Sequence, residues 1–103
     1  MITETVYNGR DNINSLELRA NGVAQDISGA TRLTLKVRDR LLDSAKDATI
    51  FDWTTSGSSG QLDIVLGHQR LKVGTCRATL TVFDATYPNG LNWGDFMLNV
   101  KEG

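Results

Sequence analysis

GTCRATLTVFD (74–84), ATYPNG (85–90) and LNWGDFMLNV (91–100) form one continuous stretch that reads as a long β-hairpin. Cys76, Ala78, Leu80 and Val82 alternate with Arg77, Thr79, Thr81 and Phe83, which gives the first arm one apolar face and one mostly polar face. Tyr87-Pro88-Asn89-Gly90 supplies the reversal: Pro88 presets φ at the second turn position, Asn89 tolerates the third, and Gly90 leaves freely. In the return arm Leu91 and Trp93 share one parity, whereas Phe96, Leu98 and Val100 share the other. Keeping both sets on the core face takes one extra residue, so a β-bulge is expected near Gly94-Asp95.

Outward from the hairpin, the same period recurs. Leu33, Leu35 and Val37 alternate with Arg32, Thr34, Lys36 and Arg38 as a central strand, and Leu62, Ile64 and Leu66 mark another. Leu16, Leu18 and Ala20 lead to Asn21-Gly22, a two-residue hairpin signal, with Val23 to Ile27 returning. Ile50 to Thr54 reads as a strand, Arg40 to Thr49 as a loop with at most one helical turn, and residues 67–74 as a crossing segment with a single 3₁₀ turn. Met1 to Asn8 suits a short first strand or an extended arm. These elements predict an all-β, immunoglobulin-like antiparallel β-sandwich of about seven to eight strands, built as one domain over residues 1–103.

Composition narrows the chemistry. A chain of 103 residues supports one core, and its formal charge of −1, with acids and bases interspersed, provides no field to gather nucleic acid or a membrane surface. No segment approaches the roughly 20 apolar residues of a membrane span. The single cysteine, Cys76, lies on the apolar parity of an inner strand and reads as a core residue.

No catalytic, cofactor or metal site emerges, and the chain is not expected to be an enzyme. His68 has only scattered aspartates for company, Asp39, Asp43, Asp47 and Asp52 lack the glycine and closing glutamate of a calcium loop, and Ser56 to Gly60 lacks the lysine of a phosphate loop. Arg32, Lys36, Arg38 and Arg40 form a basic row without interleaved aromatics, which suits a solvated face or ion pairs better than nucleic acid. Apolar residues on the wet parity point instead to protein contact: Phe83 and Met97, with Tyr87, Pro88 and Asn89 at the hairpin tip, and Val6 and Tyr7 in the N-terminal segment. Trp53 and Trp93 are the residues that a sugar-binding module would use, although their neighbours favour burial.

Asp11-Asn12-Ile13, the run from Asn21 to Thr31, Leu33-Thr34-Leu35-Lys36-Val37, Gly60-Gln61-Leu62-Asp63-Ile64 and the Gly74–Leu80 strand resemble the immunoglobulin-like domains of tailed-phage virion proteins, with the N-terminal domain of phage upper-baseplate proteins nearest. The hairpin from Val82 to Gly94 is similar to one found in small stand-alone phage proteins. The resemblance implies a structural protein of the virion, made in the bacterial host cytoplasm and bound to other virion proteins as a homo-oligomer or symmetric assembly. It implies a place in the tail, baseplate or head–tail region, with a capsid decoration protein or a cell-surface-binding module as alternatives. No fibre or receptor-binding extension follows Gly103, so a complete upper-baseplate protein is not expected.

Overall fold

Strand periodicity carries through to a computed structural model that describes residues 2–103. Ten strand segments follow in order: β1 (Thr3–Asn8), β2 (Ile13–Glu17), β3 (Arg19–Ala20), β4 (Val23–Ala24), β5 (Ala30–Val37), β6 (Arg40–Asp43), β7 (Phe51–Asp52), β8 (Gln61–Val65), β9 (Gly74–Asp84) and β10 (Leu91–Glu102). Strand occupies 56% of the described residues and helix 6%, which makes the class all-β.

Hydrogen bonding groups the strands into a five-stranded sheet, β1-β10-β9-β5-β6, a three-stranded sheet, β2-β8-β7, and the small hairpin β3-β4. The inward residues of the two larger sheets meet in a single core. Leu33, Leu35 and Leu98 from the larger sheet and Leu62 from the smaller are 0% exposed, and Ile64 is 1% exposed. Each such side chain contributes roughly 1.5–3 kcal/mol on burial, offset in large part by chain entropy. This arrangement is compatible with a β-sandwich. Cys76 is buried in it as a free thiol.

The long hairpin forms as its sequence dictates. β9 and β10 pair antiparallel, and the register shifts between Asn92 and Gly94, so Trp93, just before the expected Gly94-Asp95, is the extra residue of the bulge; Trp93 and the set Phe96, Leu98 and Val100 then both pack on the core, whereas Leu91 stays 38% exposed. Asn21 and Gly22 reverse the chain between β3 and β4 with positive φ values of 53° and 78°.

Three expectations need correction. The sheet is mixed: β1 runs parallel to β10, with Thr3 opposite Met97 and Asn8 opposite Glu102. The first and last strands are joined by the whole intervening chain, so no short connection forces them to be antiparallel. Arg40 to Asp43 is a strand, because a two-residue turn at Arg38-Asp39, with Arg38 at φ 56°, brings Arg40 back opposite Val37. Trp53 and Thr54 leave the strand that was expected to run to residue 54, since Asp52 accepts the Thr54 N–H at 3.1 Å and turns the chain.

Below the sheets, the 3₁₀ turn Gly67–Gln69 fits against the end of β1, where the Gly9 N–H donates to the Gly67 carbonyl at 2.8 Å. A Cβ at Gly67 would lie 1.9 Å from the Arg10 carbonyl oxygen, so only glycine permits this approach.

Candidate interaction surface

Pro88 and Asn89 sit at the tip of the β9-β10 hairpin, closed by the Gly90 N–H donating to the Tyr87 carbonyl at 3.0 Å. The Asp84 carboxylate accepts the Tyr87 N–H at 2.7 Å, which fixes the approach to the turn. Gly90 has φ 86°, and a Cβ there would lie 2.7 Å from both Phe83 Cε2 and Thr81 Cγ2. The turn therefore folds back over the outer face of the five-stranded sheet. Tyr87 is 49% exposed, and Pro88 and Asn89 are exposed beside it.

Phe83 is half-buried rather than open. Gly90 lies against its ring, and the Arg32 guanidinium stands 4.7 Å from the ring centroid. Arg32 in turn grips Asp43 through two parallel bonds, Nε to Oδ1 at 2.9 Å and Nη2 to Oδ2 at 2.6 Å. The Asp43 side chain is only 6% exposed. The Arg32 bond holds its carboxyl below the ordinary carboxylate range, with the Ala45 N–H and the positive charges of Arg32 and Lys46 assisting against the cost of burial. Asp43 is thus the buried partner of a cation–aromatic cluster that spans β9, β5 and β6.

The remaining candidates separate. Met97 is half-buried on the outer face between Thr3 and Arg77 in register, and Tyr7 is 38% exposed. Val6 is 2% exposed and belongs to the core, because alternation along β1 turns Val6 and Asn8 inward and Tyr7 outward. The segment 3–8 is thus a strand of the chain's own sheet, not a free arm; Met1 lies outside the described residues. The tip triad and Tyr7 do not form one patch, since β10 descends from the tip to its pairing with Tyr7 at Lys101.

Trp53 and Trp93 are both half-buried against the core. The Trp53 indole N–H donates to the Ala30 carbonyl at 3.1 Å, whereas Trp93 Nε1 is enclosed without a partner. A cleft of about 290 Å³ on one side of Trp93 is lined by Ile2, Leu16, Leu18, Leu80 and Phe96, and one of about 220 Å³ on the other reaches Ile27, Val82 and Leu91. Neither cleft is legible in the sequence. The bulge is, and its extra residue, Trp93, lines both clefts.

No protein-family model and no curated protein sequence matches the chain. Among solved structures, the N-terminal domain of phage TP901-1 ORF48 is similar, with a TM-score of 0.65 over 99% of this chain and 85% of that one, at 11% identity. At that identity the likeness is one of fold.

Proposed function

We propose that the chain is a non-enzymatic structural module of a tailed-phage particle, an immunoglobulin-like β-sandwich of the tail, baseplate or head–tail region that attaches to other virion proteins in several symmetric copies. The observation that carries this reading is the fold likeness to a phage protein's N-terminal domain over nearly the whole chain. The exposed tip Tyr87-Pro88-Asn89 supports it, being a rigid projection with an aromatic residue at its end, the kind of feature that anchors protein contacts. Multiple copies would turn weak contacts into lasting attachment. A sugar-binding reading has less support, since both indoles are half covered by the core.

The test follows tagged chain into purified particles of the phage that encodes it. Fixed stoichiometry is expected for the natural chain, and Tyr87→Ser with Asn89→Ala should reduce incorporation while leaving the melting curve unchanged, because neither side chain packs in the core. Absence of the natural chain from particles would overturn the reading.

A further inference from the structure

Charge along this molecule is sorted by topology. β9 spans 11 residues, roughly 36 Å at about 3.3 Å per residue, which matches only the longest of the molecular dimensions, 38 × 29 × 25 Å. The strands therefore run along the long axis, and the chain reversals lie at its two ends.

At the lower end the turn after β5, the segment before β9, the link from β1 to β2 and the close of β10 come together. The Arg10 guanidinium donates to the Gly103 carbonyl at 3.0 Å, Arg40 donates to the Gln69 carbonyl, and Arg38 reaches the start of β9 at Gly74. Here Arg10, Arg38, Arg40, Arg70, Lys72 and Lys101 outnumber Asp11, Asp39, Glu102 and Asp47, which bonds to the Gln69 side chain. At the upper end, carrying the β3-β4 hairpin, the loop after β7 and the tip after β9, the balance reverses. Glu17, Asp26, Asp52 and Asp84 face two bases, Arg19, itself paired to Glu17 at 2.9 Å, and Arg32, which Asp43 neutralises. A chain with interspersed charges in sequence thus folds into a body with one basic and one acidic end. At physiological salt the Debye length is about 8 Å, so the ends, separated by several such lengths, do not neutralise one another.

We propose that copies of this chain associate end to end, the acidic upper end of one against the basic lower end of the next. Exposed apolar residues accompany both charges: Val23 and Tyr87 above (62% and 49%), Val73 below (50%). The contact joins different surfaces of identical molecules, so it propagates into a ring or an open row instead of closing as a two-fold pair. This deepens the attachment reading by naming a second copy as one partner, and its test needs only the isolated chain, so its failure leaves the particle experiment standing.

Sedimentation velocity of the isolated chain should show a weight-average coefficient that rises with protein concentration at about 20 mM salt and returns to the monomer value at about 0.5 M. Ala85→Lys with Thr86→Lys takes most of the negative charge off the upper end without removing a hydrogen-bonded carboxylate, and Arg38→Glu with Lys72→Glu makes the lower end acidic. Each variant alone should lose self-association by roughly tenfold or more, and an equimolar mixture should regain it, because the two then present opposite charges. Circular dichroism melts establish that both variants are folded. A natural chain that stays monomeric at low salt, a folded mixture that does not recover association, or an association lost only in the lower-end variant would overturn the proposal.

Discussion

The two faces of the five-stranded sheet are built on different physics. Its inner face presents Leu35, Leu80, Val82 and Leu98, aliphatic side chains held by exclusion from water, which is non-directional and tolerant of substitution at constant volume. Its outer face carries Thr79, Thr81 and Thr34 in one register row after another, and beside them the stack in which Gly90 covers Phe83, Phe83 faces Arg32, and Arg32 grips Asp43. That face is held by directional contacts, each with a required partner. The inner face decides that the chain folds; the outer face decides how the hairpin tip is aimed.

Substitutions on the two faces should therefore differ in size and in what restores them. Leu98→Ala, on the inner face at 0% exposure, is expected to cost about 3–4 kcal/mol by chemical denaturation, near the middle of the range for buried leucines. A loss below about 1 kcal/mol would mean that the core repacks freely and the contrast fails.

On the outer face, Asp43→Asn should cost about 2–3 kcal/mol, less than the ~3–5 of a fully enclosed pair because the Arg32 side chain remains 40% exposed. Since the folded-state pKa of Asp43 is lowered from 3.8, its contribution is present above that value and is lost as pH falls below it. Asp26, Asp47 and Asp52, each lowered by hydrogen bonds from its own turn, share this direction. Thermal melts of the natural chain should hold steady near neutrality and decline below pH 3.8; Asp43→Asn should start lower and lose less on acidification. Equal acid sensitivity in the two proteins would show that the pair is not responsible.

The smallest effect expected is at the turn. Gly90→Ala places a side chain at φ 86° and against Phe83 and Thr81, for about 1–2 kcal/mol. Gly29→Ala, where a Cβ meets nothing within 4 Å, is the matched control and should stay within about 0.5 kcal/mol. Similar losses at both positions would remove the turn from the outer-face assembly.

The inner face was legible because period-two alternation is a local signal: Leu33, Leu35, Leu80 and Leu98 announce themselves within a few residues. The bulge at Trp93 was legible for the same reason, as a break in that parity. The outer cluster was not, because Arg32, Asp43 and Phe83 lie on three different strands and only the register of β6 and β9 against β5 brings them together. Val6 was misassigned because a segment without clear flanking alternation gives no parity to read. The segregation of charge escaped for a more general reason: antiparallel strands return distant residues to the same end, so residues interspersed along the chain are sorted in space. Of the interaction surface, the tip Tyr87-Pro88-Asn89 could be placed in advance by its turn chemistry, whereas the covering of Phe83 depends on where Gly90 lands.

The pairing of β1 with β10 has a consequence for the order in which the molecule is made. Val6 and Asn8 leave the ribosome long before their partners, Val100 and Glu102. Closing that contact spans nearly the whole chain and is among the slowest classes of folding event. Throughout translation the first strand is an unsatisfied edge with an apolar side chain, open to the same strand of a neighbouring nascent chain. Where many copies are translated side by side on one message, that edge is exposed most when production is greatest.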